Sequence, residues 1–126
     1  MSDLVKILIK DGSVSFEKED GDYLNVKIVT SGLTVERRIF IYSDINALKA
    51  LFFTISENWK GWVGSRHFKS VEGDFSIIAH HNGNSHVNLR LEIKSNFGLE
   101  DGWFITLDSQ IELGSLDAIA KDISKL

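Results

Sequence analysis

The sequence predicts an α+β domain in which a twisted antiparallel sheet of about seven or eight strands carries two helices on one face, in the order ββββ-α-ββββ-α. Apolar and polar residues alternate through most of the chain, which is the period of a strand. Two segments, at about residues 44–59 and 115–125, carry instead an apolar stripe with a helical period. No linker divides the 126 residues, so we expect a single domain over residues 1–126.

Alternation in the first part of the chain predicts four strands joined by turns that contain glycine. Their apolar positions are Val5, Ile7 and Ile9; Val14 and Phe16; Leu24, Val26 and Ile28; and Leu33, Val35, Ile39 and Ile41. In the fourth strand, strict alternation places Arg37 on the apolar face, where an unpaired charge is costly. We therefore predict a bulge that shifts the phase of this strand.

The first helix is predicted from a stripe of six apolar residues, Ile45, Leu48, Leu51, Phe52, Ile55 and Trp59, with Ser43 or Asp44 as its N-cap. About four strands follow, with apolar faces at Phe75, Ile77 and Ala79; at Val87, Leu89, Leu91 and Ile93; and at Trp103, Ile105 and Leu107. The polar face of the strand that begins at His86 runs through Arg90 to Lys94 and is expected to meet water or a partner. The last helix has its stripe at Leu116, Ile119, Ala120, Ile123 and Leu126.

Composition excludes several classes of function. The chain has no cysteine, and Met1-Ser2-Asp3 leads directly into a strand without a secretory signal, so we expect a cytoplasmic protein. No apolar run reaches the roughly 20 residues that span a bilayer, so no membrane association is expected. The net charge is −4 and basic residues do not cluster beyond Arg37-Arg38, so nucleic acid is not an expected partner.

Catalytic signatures are missing from the sequence. It has no P-loop, no G-x-S-x-G, no H-E-x-x-H and no dinucleotide fingerprint. Two pairs of carboxylates, Glu72 with Asp74 and Glu100 with Asp101, lie beside glycine at turns, where acidic residues ordinarily serve solvation. We therefore predict neither an enzyme nor a bound cofactor.

The densest motif is Trp59-Lys60-Gly61-Trp62-Val63-Gly64-Ser65-Arg66. The favoured interpretation is that both tryptophan rings seal the helix end against the sheet. The functional alternative is an exposed aromatic platform for a partner, since Trp and Arg are frequent in binding hot spots. Trp62 is its better candidate, because Trp59 continues the helix stripe and is expected in the core. An ion pair from Arg66 to Glu72 is predicted to brace the loop.

Three histidines, His80, His81 and His86, flank the turn at Asn82-Gly83. With a three-residue loop, His80 and His86 lie opposite each other on the polar face, within reach of one ion. Spacing dictates no third ligand, so no metal site is predicted. A pH-responsive surface remains an alternative for the same residues.

At these residues the sequence resembles a bacterial family of short proteins of unknown function. The shared pattern is W-x-G-W-x-G, then S-x-E-G, then H-x-G and H-V, which matches residues 59–64, 70–73, 81–83 and 86–87. Such families are similar in size and acidity to immunity proteins, which neutralise a toxin made by the same or a neighbouring cell. The resemblance implies an immunity role and no catalytic residue.

These observations lead us to expect a cytoplasmic protein-interaction module, of immunity type, that binds a protein partner. Its candidate surface is Trp62, Arg66, Glu72, His80, His86 and Arg90. The alternative is a small-ligand-binding domain with a pocket between helix and sheet, lined by Trp62, Phe68 and Trp103. A third hypothesis is a metal-dependent enzyme at the three histidines. We also expect a homodimer, because a sheet of this size leaves an edge strand or an uncovered face.

Overall fold

The computed structural model describes residues 4–19, 21–83, 85–95 and 102–126, apart from the side chain of Ser43. Glu100 and Asp101 lie outside these residues. The elements within them are β1 (Leu4–Ile9), β2 (Gly12–Glu19), β3 (Tyr23–Thr30), β4 (Leu33–Phe40), α1 (Ile45–Glu57), β5 (Ser65–Lys69), β6 (Phe75–His81), β7 (His86–Lys94), β8 (Phe104–Glu112) and α2 (Leu116–Ile123). The α+β class and the element order are confirmed. In this part of the chain neither helix combines the length and the apolar character that crossing a membrane requires.

The strands form two antiparallel sheets of four, with β1 to β4 in sheet A and β5 to β8 in sheet B. The alternation predicts one sheet, whereas the structure has two, because after α1 the chain enters β5, which pairs with β6 and starts a second sheet. Alternation indicates which face of a strand is buried, but not which strands pair across a helix. The sheets meet where the backbone N–H of Lys10 donates to the carbonyl oxygen of Gln110 at 3.1 Å.

A single hydrophobic core lies between the two sheets and the helices. The ring of Phe75 links the sheets, since its centroid lies 6.1 Å from that of Phe16 in sheet A and 6.1 Å from that of Phe68 in sheet B. The helices pack against each other, with α1 near β5 and α2 near β1. The predicted helix stripe is buried at Leu48, Leu51, Phe52 and Ile55. Asp44 precedes α1 but makes no side-chain cap hydrogen bond.

Arg37 corrects the prediction of a bulge. The register of β3 and β4 is continuous, with Val26 opposite Arg37, so the guanidinium stays on the apolar side of the strand. It donates two hydrogen bonds to Oδ2 of Asp74, from Nη2 at 3.0 Å and from Nε at 3.2 Å. The charge is tolerated because it is paired with the buried carboxylate of Asp74, in the turn that leads into β6, and no shift of phase is needed.

Candidate functional site

We call residues 59–66 the tryptophan loop. Of its two tryptophans, Trp59 does not lie in the core as predicted, whereas Trp62 packs inward in agreement with the favoured interpretation. Trp59 is half exposed, and the Nζ atom of Lys60 lies 5.5 Å from its ring centroid. Trp62 is partly buried and packs against the core. Trp59 leaves the apolar stripe because α1 ends at Glu57, two residues earlier.

His81 anchors the tryptophan loop from the neighbouring hairpin. Its buried ring donates from Nε2 to the carbonyl oxygen of Trp59 at 2.9 Å and accepts at Nδ1 from the backbone N–H of Gly83 at 2.9 Å. The Trp62 ring meets it edge to face, with centroids 5.4 Å apart. Gly61 allows this approach because it adopts a φ of 135°, which other residues rarely adopt. The outer part of the loop is therefore carried on a fixed base.

Two donors at this base have no acceptor within the part of the chain that the structure describes. The Nε1 atom of Trp62 and the Nε atom of Arg66 are both buried without a hydrogen-bond partner among the residues that the structure describes. The Arg66 guanidinium carbon lies 5.3 Å from the centroid of the Trp62 ring. Among the described residues Arg66 has no ion-pair partner either. A guanidinium and an indole N–H together suit a carboxylate or carbonyl oxygen.

The predicted ion pair from Arg66 to Glu72 is wrong. Arg66 lies at the start of β5, whereas Glu72 is exposed in the turn beyond its end. There Glu72 lines a cavity of about 350 Å³ with Lys69 and Lys94. The structure therefore places Glu72 away from the tryptophan loop.

The polar face of β7 points away from the core and forms part of an open groove. The groove has a volume of about 470 Å³ and is lined by Lys10, Asp11, Ile78, His80, Asn88, Leu89, Arg90, Asp108, Ser109 and Gln110. Within it, Arg90 donates to Oδ1 of Asp108 at 2.8 Å and to Oδ2 at 3.3 Å. These hydrogen bonds and the charge of Arg90 hold the pKa of Asp108 below its ordinary value, and Asp108 raises the pKa of Arg90 in turn.

His80 joins the groove to the tryptophan loop. Its Nδ1 atom lies 3.1 Å from the carbonyl oxygen of Gly64, to which it donates a hydrogen bond. Ser65, at the end of the loop, pairs with His80 across β5 and β6. Of the predicted surface residues, His80 and Arg90 therefore lie on the outer face of sheet B, whereas Arg66, opposite the buried Ala79, and Trp62, packed on the buried His81, lie toward its inner side.

The predicted arrangement of the histidines is wrong. His80 lies opposite Asn88, and His86 lies opposite Glu112, because the last pair of β6 and β7 is His81 with Val87, which leaves five residues between them instead of three. His86 lines a separate cavity of about 520 Å³ that also includes Leu8 and Ser115. No group of three His, Asp or Glu side chains within the described ranges is arranged to hold a metal ion.

Asp74, which the sequence offers only as one member of a carboxylate pair at a turn, is buried and hydrogen-bonded. Its buried carboxylate accepts from Arg37 at Oδ2 and from the hydroxyl of Ser70 at Oδ1, at 2.7 Å. The Ser70 oxygen accepts in turn from the backbone N–H of Phe75 at 3.1 Å. Asp74 thus has a structural role. The sequence signal for it is Arg37, whose position on the apolar face of β4 requires a buried carboxylate as its partner.

The predicted pocket lined by Trp62, Phe68 and Trp103 is not formed by bringing these three rings together. Trp62 packs on His81, at one end of β6. The carbonyl oxygen of Trp103 accepts from the backbone N–H of Ser95, beyond the end of β7 that pairs with the opposite end of β6. Phe68 is buried in the core between them.

Comparison with known proteins gives one kind of match. The model of a family of unknown function matches residues 3–126. No curated protein and no solved structure matches the chain.

Proposed function

The chain belongs to that family, DUF6228, whose function is unknown. From the surface of the chain itself, we propose that it is a protein-interaction module whose tryptophan loop binds an acidic segment of a partner. The observation that carries this proposal is the pair of buried donors, Trp62 Nε1 and Arg66 Nε, that have no acceptor within the described chain. A buried donor without a partner is costly, and a partly buried cation more so. The Arg66 side chain is partly exposed, so a carboxylate of a partner can supply an acceptor to its guanidinium.

The exterior of the loop supports a protein as the ligand. Val63 is fully exposed and Trp59 is half exposed, and the tryptophan loop also contains two cations, Lys60 and Arg66. Neither cation has an ion-pair partner among the described residues. Although the whole chain has a net charge of −4, this surface is locally basic. Aromatic and arginine side chains grouped in this way are typical of interface centres.

The groove that begins at His80 extends the surface. A stable interface takes about 800 Å² from each partner, more than one loop offers. The outer face of sheet B, from His80 to Arg90, is contiguous with the loop through the hydrogen bond to Gly64. We infer that the acidic segment binds the loop and that the remainder of the partner covers this face.

We further propose an immunity role in the bacterial cytoplasm. The small size, the acidic composition and the absence of cysteine and of catalytic motifs support it. A toxin that reaches the cytoplasm is neutralised by tight binding alone, so an immunity protein needs no catalytic group.

The test is site-specific photo-crosslinking of the full chain in cells. A photoreactive side chain at Val63 is expected to capture one protein that the same side chain at Lys27, exposed on sheet A, does not capture. The captured protein is then purified and its affinity measured for wild type, Arg66→Met and the control Lys27→Met. Loss of a buried charge pair weakens binding by about thirtyfold or more, so Arg66→Met but not Lys27→Met is expected to do so. Equal affinities would refute the site.

The immunity role is tested separately with the captured partner. Made alone, the partner is expected to stop cell growth, and made together with this chain it is not. A partner that is harmless alone argues against the immunity role while leaving the interaction site intact.

A second candidate function is binding of a small polar ligand in the groove. Its volume of about 470 Å³ falls within the usual range of about 300–1,000 Å³ for ligand pockets. Filling the groove with Ile78→Trp is expected to abolish ligand-induced shifts of the amide signals of Asn88 and Gln110, while Arg66→Met leaves them unchanged. A metabolite screen that produces no such shifts removes this candidate.

A further inference from the structure

Strand β4 is an edge of sheet A with unpaired backbone groups. The loop to β3 has two residues, Ser31 and Gly32, and in such a hairpin the flanking pair, Thr30 and Leu33, is hydrogen-bonded. Because hydrogen-bonded and non-hydrogen-bonded pairs alternate, every second residue of β4 directs its N–H and C=O away from β3. These residues are Thr34, Glu36, Arg38 and Phe40. No described strand pairs on that side, which leaves a template for another strand.

The sequence of β4 is complementary to itself about Arg37. When two copies run antiparallel with Arg37 opposite Arg37, each Glu36 faces Arg38 of the other copy, and Thr34 faces Phe40. A register that centres on Glu36 or on Arg38 sets like charges opposite each other, which is unfavourable. The register centred on Arg37 also sets the residues whose backbone N–H and C=O groups point outward opposite one another. The same register therefore allows both the backbone hydrogen bonds and the favourable charge pairs.

The two central arginines do not oppose this pairing. Each Arg37 is already paired with its own Asp74 at 3.0 Å, and its side chain is on the inner side of the strand. The two-fold axis therefore brings together two neutral ion pairs. Arg38 is different, because no ion-pair partner for it exists in the described chain, and its guanidinium carbon lies 4.0 Å from the ring centroid of Tyr23.

Aromatic side chains at the end of β4 enlarge the surface. The rings of Phe40 and Tyr42 are stacked with centroids 6.3 Å apart, and Tyr23 meets Phe40 edge to face at 5.4 Å. Tyr42 is exposed and has a φ of 41°, the one positive value outside glycine among the described residues. Its N–H is held by the carbonyl oxygen of Asp22 at 3.2 Å. An exposed aromatic ring held in an unfavourable backbone conformation is typical of a contact surface.

We propose that the chain forms a two-fold symmetric homodimer in which two β4 strands pair antiparallel about Arg37. The two copies of sheet A then form one continuous sheet of eight strands. Homodimerisation is expected from the sequence, and the structure adds the strand, the register and the charged contacts. The inference goes beyond the proposed partner binding, since it uses sheet A and not the tryptophan loop.

The test measures molar mass by sedimentation equilibrium across a wide range of protein concentration. Wild type is expected to reach twice the chain mass of 14.2 kDa. In the proposed dimer, residue 36 of each copy faces residue 38 of the other, so Glu36→Arg or Arg38→Glu creates two pairs of like charges. Each variant is expected to raise the dissociation constant by about tenfold or more. The double variant Glu36→Arg/Arg38→Glu restores the complementarity and is expected to recover wild-type association. Lys6→Glu, on the opposite edge of the same sheet, is the matched control and is expected to have no effect.

Three results would overturn the inference. These are a single-chain mass at the highest concentration, single reversals that leave the dimer unchanged, and a double variant that fails to recover it. Amide exchange provides a measurement that requires no variant. The N–H groups of Glu36 and Arg38 are expected to become protected as concentration rises, and exchange that is independent of concentration contradicts the proposed strand. None of these results bears on cross-linking at Val63, so this proposal and the partner proposal fail independently.

Discussion

Replacing Asp74 with alanine tests whether the ion pair between the sheets is essential for stability. The Asp74 side chain is 4% exposed and that of Arg37 is 28% exposed, so removing the carboxylate leaves a mostly buried cation and the hydroxyl of Ser70 without their acceptor. Breaking a buried pair from one side costs about 3–5 kcal/mol. Because water reaches part of Arg37, we expect the lower end, a loss of about 3 kcal/mol in the free energy of unfolding. For a domain of this size that corresponds to a fall of about 10 °C in melting temperature.

Urea unfolding followed by tryptophan fluorescence measures this loss, and Asp108→Ala is the matched control. Asp108 also pairs with an arginine, Arg90, but both side chains are exposed. Its removal is therefore expected to have little effect. Adding Arg37→Met to Asp74→Ala removes the unpaired cation and is expected to recover at least about 1 kcal/mol. If Asp74→Ala costs no more than Asp108→Ala, or if Arg37→Met recovers nothing, the reasoning about the buried pair is wrong.

Three further predictions concern other contacts. His81→Leu leaves two backbone groups of the hairpin and the tryptophan loop without partners, and we expect urea unfolding to show a loss of about 2 kcal/mol. A Cβ at Gly12 would overlap the backbone of the strand opposite, so Gly12→Ala is expected to lower the melting temperature sharply, whereas Gly32→Ala, with nothing within 4 Å, is not. The pKa of Asp108 is held below its ordinary value by Arg90, so the folded state favours its charged form. The resulting stabilisation is present above about pH 4 and is lost as the pH falls further, and Asp108→Asn is expected to remove this part of the pH dependence of unfolding.

Most strands were predictable from sequence because their inner faces are continuous apolar series, whereas β5, in which only Phe68 is buried, has no such series. In β7, for example, Val87, Leu89, Leu91 and Ile93 are all buried and their neighbours are not. The grouping of strands into two sheets was not predictable from the same signal. Alternation is a local property of each strand, whereas the start of sheet B depends on where α1 delivers the chain.

The candidate site shows the same limit at the scale of single residues. Alternation alone predicts a bulge at Arg37, because its partner, Asp74, is 37 residues away in sequence, in the turn before β6. Trp59 was assigned to the core because a helical period was continued past the end of α1. The prediction for Arg37 fails because it depends on a contact between distant residues, and the prediction for Trp59 fails because it depends on where α1 ends. Only the folded chain defines either of these.

The tryptophan loop combines a fixed base with an exposed exterior, and this combination bears on its affinity for a partner. Ordering a flexible loop on binding costs about 0.5–1.5 kcal/mol for each side chain that is immobilised. Here His81 already binds the carbonyl oxygen of Trp59, and Trp62 is already packed on His81, so the backbone that presents Val63 is ordered before a partner arrives. The cost that remains in the free protein is the buried donors of Trp62 and Arg66, which only an acceptor removes. We therefore expect the loop to bind tightly to a partner that supplies a carboxylate in the right place and weakly to one that does not, which is the selectivity that the proposed immunity role requires.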